Sequence, residues 1–87
     1  MIIIPSSVEE IGDEAFDGCD YLEKVLIESE KISNALVEAS SVGNLLESSQ
    51  LVYIKTGLPV EASLYLTDNF EKQEVSDMEG YDMYKRK

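Results

Sequence analysis

The chain has 87 residues, 44% of them hydrophobic and 29% charged, the balance of one small globular domain close to the size at which a single core is hard to stabilise. Asp and Glu number 18 against 7 Lys and Arg, a formal charge of −11, which argues against nucleic-acid backbones and anionic membrane surfaces, since both need cationic partners. With no histidine and a single cysteine, Cys19, the chain lacks the residues for Ser-His-Asp or Cys-His catalysis, an internal disulfide or a zinc cluster.

No run approaches the ~18 apolar residues that span a bilayer. The short apolar start at residues 1–5 has neither a charged leader nor a secretory-length core. The expectation is an intracellular chain, or a piece whose signal lies upstream. The acid is uneven: residues 1–43 carry a net −8 and residues 44–87 a net −3, with Lys85, Arg86 and Lys87 as a basic end that reads as a solvated terminus.

Ile2-Ile3-Ile4-Pro5 is a β-branched run stopped by proline, the pattern of a short strand. Val25-Leu26-Ile27 is a second, with Ile27 placed 23 residues after Ile4; Leu51-Val52-Tyr53-Ile54 is a third, with Ile54 placed 27 residues after Ile27. This spacing predicts a solenoid in which each coil supplies one strand to a parallel sheet. A hairpin protein needs tighter spacing between its strands than 23 and 27 residues. Between the first two strands, Val8, Ile11, Ala15, Phe16, Cys19 and Leu22 recur mainly every three or four residues. They predict a compact coil with a short helical turn around residues 13–17 and its apolar side inward. Gly12 and Gly18 take the turns, while Glu9, Glu10, Asp13, Glu14, Asp17 and Asp20 face water. Over residues 32–46, Leu36, Val37, Val42, Leu45 and Leu46 line a helical second coil, which Ser40, Ser41 and Gly43 weaken.

Past Ile54 the periodicity stops. Thr56-Gly57-Leu58-Pro59 is a turn, and Pro59 suits the first position of a helix reaching about residue 69, with Leu64, Leu66 and Phe70 as its buried side. Residues 70–76 alternate as a strand, 77–80 form a turn, and 81–84 make a final edge strand. This section reads as a cap over the apolar face of the last coil.

Residues 4–27 carry Ile4, Pro5, Ser7, Val8, Ile11, Gly12, Ala15, Phe16, Gly18, Cys19, Leu22, Val25 and Ile27 at fixed offsets. The segment resembles one full unit of the BspA-type leucine-rich repeat, I-P-x-S-V-x-x-I-G-x-x-A-F-x-G-C-x-x-L-x-x-V-x-I. Residues 28–54 form a degenerate coil, and residues 53–58 and 69–84 resemble the closing segments of some members. The resemblance implies an α+β solenoid, a short leucine-rich-repeat-like right-handed coil with a small parallel sheet and a C-terminal cap. Coils would occupy residues 1–57 and the cap residues 58–87. It implies adhesion or protein binding at bacterial or protist cell surfaces, with no catalysis and no cofactor. It further implies that the chain is the C-terminal end of a longer array, or a remnant of one.

Cys19 has no cationic neighbour in sequence, and the family position implies a small buried residue. The pairs Glu9/Asp13 and Glu10/Glu14 belong to a solvated face rather than to acid–base work. Residues 77–82 are too short a match for a calcium loop. The candidate partner-binding residues are Glu9, Glu10, Glu14 and Tyr21, on a coil that steers a basic or host-surface protein partner. The uncapped first strand invites self-association. Two alternatives stand beside this: a purely structural cap without a ligand of its own, and an acidic mimic that occupies a nucleic-acid-binding protein.

Overall fold

The computed structural model of the chain describes residues 1–12, 14–16, 18, 19, 22–38 and 42–87. The three β-branched runs form strands β1 (Ile2–Ile4), β2 (Lys24–Ile27) and, after the one-turn helix α1 (Glu30–Ser33), β3 (Leu51–Lys55). Helix α2 (Leu64–Asn69) then leads into β4 (Phe70–Lys72) and β5 (Tyr81–Arg86). All five strands make one sheet in the order β1-β2-β3-β5-β4. β1, β2 and β3 are parallel, with Ile4 opposite Ile27 and Ile27 opposite Ile54. The 23- and 27-residue spacings are therefore the register of the sheet. β5 runs antiparallel to β3 and to β4, so the sheet is mixed and the domain is α+β.

One face of the sheet is the core. Ile4, Ile27 and Ile54 form one row and Val25, Val52 and Tyr84 another, all at 5% exposure or less. Against them pack Ile32, Leu36, Val42, Leu45, Leu46, Leu66 and Phe70. Each such side chain contributes on the order of 2 kcal/mol of transfer free energy. Val8, Ile11, Phe16 and Leu22, from the segment joining β1 to β2, cover the rim of this cluster.

Parallel strands need long crossovers, and here the crossovers lie on one another. Ser29 caps α1 by accepting from the Ile32 amide at 3.2 Å, and donates its hydroxyl to the Val8 carbonyl at 2.5 Å. Ser33 donates to the Pro59 carbonyl at 2.9 Å, and the Ser63 hydroxyl donates back to the Ser33 carbonyl. The Tyr65 amide reaches the Leu36 carbonyl at 2.9 Å, and the Phe16 amide reaches the Gly43 carbonyl at 2.8 Å. At Gly43 the two crossovers touch backbone to backbone: its φ is +59°, and an added Cβ would stand 2.6 Å from the Gly12 carbonyl oxygen. Glycine is required there twice over, for the backbone conformation and for the space.

Several sequence expectations are corrected. The second coil is not a continuous helix: after α1 the chain runs in turns, and Val37 is 42% exposed while Leu36, Val42, Leu45 and Leu46 are buried. Pro59 does not open a helix, because α2 starts at Leu64, and Leu64 is 55% exposed whereas Leu66 and Phe70 are buried. The strand expected over residues 70–76 ends at Lys72. The last strand is not an edge, since β5 lies between β3 and β4. Ala15 is exposed and Cys19 half-buried. The helical turn around residues 13–17 falls partly outside the described residues; within it, Glu14–16 are turn and Glu14 has a left-handed φ of +57°.

Gly43→Ala is expected to lower stability by about 2–4 kcal/mol, through a left-handed backbone and a carbonyl clash together. Leu64→Ala should stay within about 0.5 kcal/mol despite removing an apolar side chain. Urea denaturation followed by circular dichroism measures both, and similar midpoints for the two variants would contradict this packing.

Candidate functional site

The crossover from β1 to β2 puts its carboxylates outward. Glu9, Glu10 and Glu14 are all exposed, because Val8, Ile11 and Phe16 between them are held by the core. Tyr21, the fourth candidate, lies outside the described residues. The acidic segment follows directly on β1, whose Ile3 is 54% exposed and whose preceding Met1 is 63% exposed.

The second face of the sheet carries the alternate row: Ile3, Leu26, Tyr53 and Met83 stand opposite one another across four strands. This strand-lined face is not open throughout. Leu26 is 6% and Tyr53 1% exposed. The β4–β5 connection, residues 73–80, passes over Tyr53 and brings Asp77 beside its hydroxyl. The connection is pinned at its end by the Thr56 amide donating to the Gly80 carbonyl at 3.0 Å. Tyr81 then donates its hydroxyl to Glu28 Oε2 at 2.8 Å, tying β5 to the end of β2. At the β1 end of the face Ile3 is 54% exposed.

The tyrosines of this region hold their protons. The hydrogen bond to Glu28, then burial, raises Tyr81 above the usual tyrosine value of 10.0. Burial, then Asp77, raises Tyr53, and burial, then Asp82, raises Tyr84. Nothing in the sequence pattern signals the Tyr53–Asp77 and Tyr81–Glu28 contacts, which join residues 24 and 53 positions apart.

The basic end is not simply a solvated terminus. Arg86 donates Nε to the Ser49 carbonyl at 2.7 Å and an NH2 group to the carbonyls of Leu46 and Glu47 at 2.5 and 3.1 Å. Its guanidinium lies 4.6 Å from the centre of the Phe70 ring. It therefore ends the turns of residues 46–49 by satisfying their carbonyls. Lys85 and Lys87 remain exposed. Two shallow depressions of about 450 and 510 Å³ run along β4, lined by Glu71, Gln73, Lys85, Arg86 and Lys87 and by residues 71–75. Both mix carboxylates with cations and offer no convergent set of polar groups. Among the described residues, no group of three or more His, Cys, Asp or Glu is placed to hold a metal ion. Among the same residues no helix is long and apolar enough to cross a membrane.

Arg86→Ala should destabilise by about 1–2 kcal/mol, since it leaves carbonyls of a partly buried turn without their donor. Arg86→Lys should recover only part of this, because an ammonium lacks the planar fork. Full recovery by Lys in chemical denaturation would refute the forked role. The tyrosine pKa values are raised on folding, so the stability they contribute is complete below the unfolded value and lost as pH rises through the folded values. The urea midpoint should hold steady at neutral pH and fall as pH rises past the unfolded tyrosine value of about 10. Tyr81→Phe should reduce that fall, and tyrosinate absorbance should develop with it. A midpoint that ignores Tyr81→Phe would remove the Tyr81–Glu28 contact from the account.

Comparison with protein-family models, with curated proteins and with solved structures finds no match to this chain.

Proposed function

We propose that this chain is a non-enzymatic protein–protein interaction or adhesion module, a short BspA-like leucine-rich-repeat solenoid whose closing segment is residues 58–87. The observation that carries the reading is the division of labour along residues 4–27. Its repeat-pattern positions Ile4, Val25 and Ile27 are buried, Val8, Ile11, Phe16 and Leu22 pack on the core, and Glu9, Glu10 and Glu14 between them are exposed. A repeat of this kind contributes apolar positions to its own stability and leaves the intervening ones for recognition. The partner is a basic protein surface. Uncompensated carboxylates attract it through long-range steering, so they act on association rate and salt dependence more than on the final affinity. Placement at a cell surface follows from the family resemblance.

The test compares partner capture from the source cells by the wild-type chain and by the triple variant Glu9→Lys, Glu10→Lys, Glu14→Lys. Capture should be lost in the variant, and the association rate of the captured partner should fall about tenfold between about 50 and 300 mM salt. A partner held equally by both proteins, or a rate indifferent to salt, would overturn the acidic recognition surface.

A further inference from the structure

We infer that the side of the domain away from the sheet is a docking surface for a cationic amphipathic helix of a partner protein, with Val37 and Leu64 as its apolar anchors. The inference rests on the acidic-surface reading above and adds what the partner places on that surface. Three stretches of chain lie side by side there, within residues 5–23, 28–50 and 56–69. They are joined by the Ser29 hydroxyl donating to the Val8 carbonyl at 2.5 Å, the Phe16 amide to the Gly43 carbonyl at 2.8 Å and the Tyr65 amide to the Leu36 carbonyl at 2.9 Å. Each stretch packs apolar residues against the core, among them Ile11, Leu36 and Leu66, so its exposed residues turn away from the sheet.

Two of those exposed residues are large and apolar, Val37 at 42% and Leu64 at 55%. They belong to the two stretches that the Tyr65–Leu36 bond joins, and each is next in sequence to a residue of that bond. Neither serves the core, which Leu36, Leu66 and Phe70 fill instead. An apolar centre inside a charged rim is where protein interfaces concentrate their binding energy.

Charge selects the occupant. Glu9, Glu10, Glu14, Glu61 and Asp68 are exposed on these three stretches, which hold Lys31 as their one cation. A second copy of this chain facing this side would set carboxylates against carboxylates, whereas Lys and Arg complement them. The amide and carbonyl between Val37 and Leu64 are spent on each other, so the partner meets side chains there rather than an open ladder. A helix satisfies its own backbone and presents an apolar stripe at i, i+3, i+4 and i+7 with cations beside it. The stripe sits on Val37 and Leu64, and the cations reach the carboxylates around them.

The probe is a fluorescent peptide of about 18 residues, some five turns of helix, with leucine along one stripe and lysine elsewhere. It is titrated into the 87-residue chain and read by anisotropy. Beside it runs the same peptide with alanine at every leucine, which keeps the charge and the helix propensity but loses the stripe. The leucine peptide should bind at least about tenfold more tightly, and the amide shifts it causes in the wild-type chain should centre on residues 37 and 64. Val37→Ser combined with Leu64→Ser, both at exposed positions, should leave the urea midpoint nearly unchanged. The double variant should bring the leucine peptide down to the affinity of the alanine peptide, whose own affinity should not move. Equal affinity of the two peptides for the wild-type chain would overturn the apolar anchors and leave the acidic surface standing. A leucine preference that survives the double variant, or shifts confined to other residues, would overturn the assigned location. No binding of either peptide at low salt would overturn both readings. A leucine–glutamate peptide bound as tightly as the leucine–lysine one would overturn the cationic occupant.

Discussion

Parallel strands stand about 4.8 Å apart, and that spacing governs everything joined to β1, β2 and β3. The crossovers leaving the strands here lie against one another, although among the described residues they are mostly turns with few regular backbone bonds of their own. Their carbonyls are buried between layers and need donors, because an unpaired buried carbonyl costs about 1–3 kcal/mol. Ser29, Ser33, Ser49 and Ser63 meet that need. All four are 0% exposed, and their hydroxyls donate to the carbonyls of Val8, Pro59, Leu45 and Ser33. No buried side-chain nitrogen or oxygen among the described residues lacks a partner. Gly43 belongs to the same constraint, since a side chain there would collide with the Gly12 carbonyl.

The parallel run ends where β5 enters antiparallel beside β3. A strand running the other way has no crossover to stack, so the layered half of the domain stops at that point. Arg86 on β5 takes up the carbonyls of Leu46, Glu47 and Ser49. β4 then finishes the sheet with a charged edge. The consequence for function is an asymmetric domain: one end closed by cations and charged strand residues, the other presenting Ile3 beside an acidic crossover. The 73–80 connection adds to the asymmetry by bringing Asp77 beside the Tyr53 hydroxyl, and Tyr53 is 1% exposed.

Much of this was legible in the chain itself. The three strands and their relative register follow from β-branched runs at fixed spacing, because strand formation is a local pattern. The outward placement of Glu9, Glu10 and Glu14 follows from the same periodicity. The helices were less legible. Leu64 has the apolarity and spacing of a core residue but is exposed, since α2 begins late and turns Leu66 and Phe70 inward instead. Val37 fails similarly, because the chain leaves α1 in turns and its side chain rotates off the core.

Composition and periodicity by themselves determined an acidic α+β chain with three aligned parallel strands and an exposed row of carboxylates, since each of these depends on residues close in sequence. Only the tertiary structure decided that the sheet is mixed, that β5 is internal, that Arg86 closes a turn 37–40 residues earlier and that Tyr81 reaches Glu28 across 53 positions. Those outcomes depend on which unpaired backbone groups and side chains are brought within hydrogen-bond distance after the chain collapses, and no local pattern records that meeting.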